Sequence, residues 1–251
     1  MSIRWIFFDI GNVIFNDAQG MALIYKRLHE EILKHRNSLT FECLLKERED
    51  LILNHNDGRH HYTLGKKYLG EQGWLKFKTA LSEDINNNYF KYNIPIEGIE
   101  RQIEYLSQFY SLGIAANQVS NSKKALKGID VLQYFKFLGI SEDIGFEKPD
   151  TRFFTTILER TSVQPAEAIM IGDRIDFDIL PAKKIGMKTI WVNAKHKSYA
   201  PKFDYQKLYL ESQKIASVQK FQPATSEQEP DVHISSISDI IDAVQRLNEM
   251  H

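Results

Sequence analysis

Ile3-Arg4-Trp5-Ile6-Phe7-Phe8-Asp9-Ile10-Gly11-Asn12 is an apolar run of strand length that stops at a carboxylate followed by turn formers. It reads as a buried strand with a loop at its carboxyl end. Ligands of open α/β sheets bind in the crevice at such strand ends, which gives the acid at position 9 a place in chemistry. The remainder of the chain repeats the arrangement. Leu112 to Ala116 is a short apolar strand ending at Asn117, and Phe137 to Ile140 leads towards Gly145-Phe146-Glu147-Lys148-Pro149-Asp150. Ala168 to Ile171 runs into Gly172-Asp173, and Thr189 to Val192 and Val232 to Ser235 complete the set. Helix-periodic segments separate these strands, such as Ile99, Ile103 and Leu106, or Phe153, Phe154, Ile157 and Leu158. The alternation predicts an α/β fold with a doubly wound parallel sheet, a Rossmann-type core.

One stretch departs from this rhythm early in the chain. From residue 16 to 92 the sequence is polar and helix-periodic, with Leu23, Leu28 and Ile32, then Leu44, Leu45, Leu51 and Ile52, then Trp74, Phe77, Leu81 and Ile85. We therefore expect an all-helical domain at 16–92 inserted into an α/β core made of 1–15 and 93–251. A second stretch, 194–230, carries six lysines and ends in the polar run Gln222 to Pro230. It is expected as an atypical insertion within the core, with a weak helix over 204–220 that turns Tyr205, Leu208, Ile215 and Val218 inward.

Composition narrows the possible partners. Thirty-two Lys and Arg against 33 Asp and Glu leave a net charge of -1 over 251 residues, so no global field gathers nucleic acid or an anionic membrane. The aromatic group Trp74, Phe77, Tyr89, Phe90 and Tyr92 lacks the basic groove of a base-stacking platform and reads as domain core. Cys43 is the one cysteine, which forbids an internal disulfide and fits a buried small apolar side chain in a reducing compartment. No stretch reaches the roughly 18 apolar residues of a membrane span. Ile3 to Phe8 runs straight into Asp9 without a cleavage-site pattern, and a cytoplasmic location is expected.

The strand-end loops present Asp9, Asn117, Lys148, and Asp173 with Asp178. Carboxylates from two loops suit a hard divalent cation, and a lysine from a third adds positive charge, a combination suited to a phosphoryl group. In order and spacing these residues resemble the haloacid dehalogenase (HAD) superfamily. Phe8-Asp9-Ile10-Gly11-Asn12-Val13 is similar to its first motif, and Ile114-Ala115-Ala116-Asn117 to its second. Gly145 to Pro149 fits the third, G-x-x-K-P, and Gly172-Asp173-Arg174-Ile175-Asp176-Phe177-Asp178 fits the fourth, G-D-x-x-x-x-D. The resemblance implies a HAD-like core with a C1 helical cap at 16–92. It implies a magnesium-dependent phosphatase acting on a small phosphorylated metabolite. Asp9 would attack phosphorus to form an aspartyl phosphate, and Lys148 would stabilise the phosphoryl charge. Mg2+ would be held by Asp9, the Gly11 carbonyl and Asp173, with Asp178 beside it. Substrate would meet Ile10, Gly11, Ala116, Asn117 and Lys148.

Two positions depart from the family pattern. Gly11 stands where phosphatases of the family carry a second, acid/base aspartate, whose assistance is typically worth about 10²- to 10⁴-fold in rate. Ala116 stands where a hydroxyl would bind the phosphoryl group. Three readings follow: an enzyme for good leaving groups such as acyl phosphates or sugar 1-phosphates, a substitute group among Asp17, His55, His60 and His61, or a catalytically degenerate phosphate-binding or regulatory protein. Haloacid enzymes of the superfamily also lack the second aspartate, but their metal-free site would leave Asp173 and Asp178 without use. Asn56 to His61 reads as a solvent-exposed loop, and Arg174 with Asp176 as a solvated pair or as cap-facing contacts.

Overall fold

The computed structural model describes residues 2–35, 38–194 and 200–249. Eight strands occur among them: β1 (Trp5–Phe8), β2 (Phe15–Asn16), β3 (Ile94–Pro95), β4 (Ser111–Ala116), β5 (Phe135–Ile140), β6 (Ala168–Gly172), β7 (Lys188–Val192) and β8 (Val232–Ile234). Six form one sheet in the order β5-β4-β1-β6-β7-β8, with every neighbouring pair parallel. β1 lies between β4 and β6, in register from Trp5 to Phe8 with Ser111 to Ile114 on one side and Ala168 to Ile171 on the other. The chain order runs outward from β1 in both directions. That is the topological switch point at which α/β sheets bind ligands, and Asp9 stands at its carboxyl end.

Parallel strands need crossovers, and helices supply them. Phe7 packs with Phe153, Phe154, Ile157 and Leu158 of the helix Thr151–Thr161. Ile6 and Phe8, of opposite parity, turn to the other face of the strand and are fully buried. The helix Ile99–Ser107 packs on β4, and Ile240–Glu249 packs on β7 and β8 with Ala243, Val244 and Leu247 buried. β2 and β3 pair antiparallel as a separate two-stranded ribbon, Phe15 opposite Pro95 and Asn16 opposite Ile94. The expected doubly wound α/β core is thus present.

The chain divides into two compact units, Met1–Asn16 with Ile94–His196 and Gln222–His251, and Asp17–Asn93 with Lys197–Phe221. The second unit is helical: Ala18–Leu33, Phe41–His55, His60–Asn87, Tyr89–Tyr92 and Asp204–Ile215. His60–Asn87 is broken at Gly70, whose φ of 68° and ψ of 175° are not helical. Leu28, Ile32, Leu44, Leu45, Leu64, Trp74 and Phe77 build its core.

Three expectations change here. The 194–230 stretch is not wholly an insertion within the α/β core: its residues 200–221 belong to the helical unit, while 222–230 stay with the core. Its helix Asp204–Ile215 packs against Ala18–Leu33 and Phe41–His55, because Tyr209 enters their apolar cluster with its ring tilted 34° to that of Tyr25 and 5.6 Å from it. Arg48 reaches the same helix, donating from Nη1 to Ser212 Oγ at 3.1 Å and to the Ala216 carbonyl at 3.0 Å. The inward face buries Gln206, Tyr209 and Ser212 with Tyr205 and Leu208 packed beside them, and Val218 beyond the helix is buried as expected, while Ile215 is 58% exposed. Secondly, His60 opens a helix and is buried with Nδ1 2.5 Å from the Tyr25 hydroxyl, so it is no part of a solvent-exposed loop. Finally, Cys43 is exposed in the first turn of Phe41–His55, where its N–H caps onto Thr40.

Candidate active site

Asp9 follows β1 directly, and its N–H donates to the Ile171 carbonyl at 2.9 Å, which prolongs the β1–β6 pairing into the loop. The chain then turns tightly: Ile14 and Phe15 both donate to the Ile10 carbonyl, at 3.0 Å each. Asn12 holds the left-handed conformation at φ 50°, a region asparagine tolerates, and its N–H donates to the Phe15 carbonyl at 2.7 Å. The turn also directs the Asn12 side chain, whose Nδ2 donates to Asp173 Oδ2 at 3.1 Å. Among the described residues the glycines at positive φ are Gly70, Gly98, Gly145 and Gly186, so the Gly11 backbone is in a region open to other residues.

Asp173 follows β6. Its carboxylate receives Asn12, and its main-chain carbonyl accepts from Trp191 Nε1 at 3.0 Å. Gly172 before it is required by packing, since a Cβ there would fall 2.3 Å from Cβ, Cγ and Oδ2 of Asp178. A π turn over Ile175–Ile179 folds Asp178 back onto that glycine. Asp178 Oδ2 accepts the Arg174 N–H at 3.0 Å, and Oδ1 accepts from Lys148 Nζ at 2.5 Å.

Lys148 is buried, and its ammonium donates to Asp9 Oδ1 at 2.7 Å, Asp178 Oδ1 at 2.5 Å and the Ala115 carbonyl at 3.0 Å. Burial alone would lower its pKa, but the Asp178 and Asp9 carboxylates outweigh burial and hold it above the ordinary lysine value. Burial pushes the Asp178 carboxyl up to about 6, with Asp9 adding to the rise and Lys148 opposing it.

Asp9, Asp173 and Asp178 each offer a carboxylate oxygen, and these oxygens all lie within 4.8 Å of one another. Three carboxylates around one ammonium leave an excess of negative charge in a buried place. The donors are hard oxygens, so the set fits a magnesium ion, and these residues would hold it.

The structure thus brings Asp9, Lys148, Asp173 and Asp178 together, with Ile10 and Gly11 in the adjoining turn. Ala116 ends β4 fully buried and offers only a methyl group. Asn117 turns both its oxygen and its nitrogen to Lys148: Oδ1 accepts the Lys148 N–H at 2.7 Å and Nδ2 donates to the Lys148 carbonyl at 2.8 Å. Arg174 does pair with Asp176, at 2.8 and 2.6 Å, and lies 4.1 Å over the Phe177 ring, but the pair is half-buried and not the solvated one expected. Asp17, His55, His60 and His61 belong to the second unit. There His55 pairs with Asp50 at 3.4 Å, and His60 is part of the packed interior. Sequence reasoning missed Asn12 and Trp191 as supports of Asp173. Asn12 carried a signal, because an asparagine after glycine in a tight turn is a left-handed residue with its amide available.

The sequence matches the haloacid dehalogenase-like hydrolase family over residues 6–192. It is 28% identical over 193 residues to a glyceraldehyde 3-phosphate phosphatase from Pyrococcus abyssi, covering 75% of this chain and 81% of that one. It is 29% identical over 203 residues to the pyrimidine 5'-nucleotidase YjjG of Escherichia coli, covering 78% and 89%. The magnesium-bound HAD-hydrolase YfnB of Bacillus subtilis superposes with a TM-score of 0.61 at 19% identity over 97% of this chain and 99% of that one. An HAD phosphatase from Thermococcus onnurineus does so with 0.61 at 18% identity over 96% and 98%. At those identities the superpositions speak for the fold alone. With four motif loops converging on one strand-end crevice and the family matched from β1 through β7, the chain belongs to the haloacid dehalogenase-like hydrolases.

Proposed function

We propose that this hydrolase is a magnesium-dependent phosphatase of a small phosphorylated metabolite, working through an aspartyl phosphate on Asp9. The observation that carries the reading is one cluster: Asp9, Asp173 and Asp178 oxygens within 4.8 Å of each other, with Lys148 Nζ 2.7 Å from Asp9. An Asp9 oxygen bonds to phosphorus as the bond to the leaving oxygen breaks; water then attacks phosphorus, the bond to Asp9 breaks, and phosphate leaves with the carboxylate restored. Lys148 holds the Asp9 carboxylate in place at 2.7 Å, and its charge offsets the repulsion between an anionic nucleophile and an anionic phosphoryl group. Asp9, Asp173, Asp178 and the Gly11 carbonyl would hold magnesium, which would supply Lewis-acid stabilisation of the phosphoryl oxygens. Backbone N–H groups of Ile10 and Gly11 add donors.

Gly11 provides no proton for the leaving oxygen and no base for the water. Substrates whose leaving groups depart without protonation fit this site best, among them acyl phosphates and sugar 1-phosphates. The relatives named above act, by their names, on a triose phosphate and on nucleotides, so a small phosphorylated metabolite is the substrate class. The helical unit serves as the family's C1 cap and selects among such metabolites. The test is phosphate release from acyl, sugar 1-, aryl and alkyl phosphates, with and without magnesium. Metal-dependent release that falls as the leaving group worsens is the expected result. Silence across the panel from folded protein would turn the reading towards a phosphate-binding protein.

A further inference from the structure

The four motifs leave Asn117 as the residue whose observed contacts differ most from a ligand-binding role. It stands one residue beyond β4, where a side chain aimed at a phosphoryl group would be expected. Instead both ends of its amide are spent on one residue, 31 positions away: Oδ1 takes the Lys148 N–H at 2.7 Å and Nδ2 gives to the Lys148 carbonyl at 2.8 Å. The strand β5 and its flanking helices lie between the partners in the chain, so this is a tertiary clamp. The segment before it adds a third hold, since the Ala115 carbonyl accepts from Lys148 Nζ at 3.0 Å.

We infer that Asn117 is a positioning residue for Lys148: the end of β4 grips the lysine backbone so that its ammonium sits on Asp9. The lysine stem has four rotatable carbons, and a buried ammonium that meets two carboxylates and a carbonyl at once must have its Cα fixed. The loop that carries Lys148, between Ser141–Ile144 and Thr151–Thr161, has no strand of its own. An asparagine suits the task because one planar amide is a donor and an acceptor side by side, matched to a peptide's N–H and C=O. Aspartate would lose the donor and set a carboxylate against the Lys148 carbonyl. The inference deepens the proposed phosphatase reading and rests on it through Lys148.

A double-mutant cycle tests it. Wild type, Asn117→Ala, Lys148→Ala and the double variant are assayed on an aryl phosphate, para-nitrophenyl phosphate, with magnesium. Misplacement by about 1 Å in a site of this kind costs on the order of 10²-fold. Asn117→Ala is expected to lower kcat by that order with KM little changed, and to change kcat less than about threefold once Lys148 is already alanine. Equal losses in both backgrounds, or a raised KM with kcat intact, would overturn the inference. If Lys148→Ala alone leaves kcat unchanged, the phosphatase mechanism beneath it falls instead. A second readout needs no turnover: the ¹⁵N signal of the Lys148 ammonium, identified by its disappearance in Lys148→Arg. An ammonium held by three acceptors gives a resolved signal in wild type, and Asn117→Ala is expected to shift or broaden it. Should Asn117→Ala not fold, Asn117→Asp is read in the same way, and an unaltered ammonium signal in the folded variant overturns the inference.

Discussion

Replacing Gly172 by alanine perturbs the site through one methyl group. The new Cβ lies 2.3 Å from the Cβ and Cγ of Asp178, a distance no pair of carbon atoms sustains. The clash involves the root of the Asp178 side chain, so rotation of the carboxylate does not relieve it; the π turn over Ile175–Ile179 has to move. Overpacking of this kind costs about 1–3 kcal/mol. Moving Asp178 also disturbs its bonds to Lys148 at 2.5 Å and to the Arg174 N–H at 3.0 Å, and a hydrogen bond to a charged group is worth about 1.5–3 kcal/mol. A total of roughly 2.5–6 kcal/mol follows, and at roughly 2–4 °C per kcal/mol for a chain of this size the unfolding midpoint should fall by at least about 5 °C. Turnover should fall on the order of 10²-fold, because Lys148 loses one of the two carboxylates that fix it. Calorimetry and phosphate release on the same preparation measure both effects. A Gly172→Ala protein with unchanged midpoint and unchanged rate would refute the close approach of Asp178 to Gly172 and its place in the cluster.

Further expectations follow from the same geometry. Gly11→Asp should raise hydrolysis of alkyl phosphates by up to about 10²-fold and change acyl phosphates little, since only poor leaving groups need the proton; equal effects on both would contradict this. Its backbone is not at positive φ, so the substitution carries no left-handed strain. Magnesium at about 100 times its dissociation constant should stabilise the folded protein by about 2.7 kcal/mol, and Asp173→Asn should abolish that gain in a thermal melt. Tyr209→Ala should cost about 3–5 kcal/mol by emptying the cluster shared with Tyr25, and hydrogen exchange should rise in Ala18–Leu33 and Phe41–His55. Unchanged protection there would show that the 204–215 helix does not support them.

The strands and the acids at their ends were legible because their signals are local. An apolar run, a carboxylate and a turn occupy ten consecutive residues at Ile3 to Asn12, and the same grammar recurs at Gly172-Asp173. Lys148 was legible as a candidate through the proline after it. What was not legible depends on distant pairings. Arg48 falls on the same helical stripe as Leu44, Leu45 and Ile52, an odd place for a charge, yet its partners Ser212 and Ala216 lie beyond the last-read motif. On the 204–220 stretch Tyr205, Leu208 and Val218 do turn inward, but Ile215 is exposed and the most buried place goes to Tyr209, which meets Tyr25 and Arg48. The role of Asn117 was hidden for a similar reason. Position alone placed it at a ligand site, and only the fold brings the Lys148 peptide to its amide.

The central claim is that Asp9 attacks phosphorus with metal and Lys148 in attendance. Its most direct measurement is magnesium-dependent phosphate release by wild type and by Asp9→Asn, both shown folded, on an acyl phosphate. Release that needs magnesium and vanishes in Asp9→Asn is the expected result; release that persists in Asp9→Asn would contradict the account.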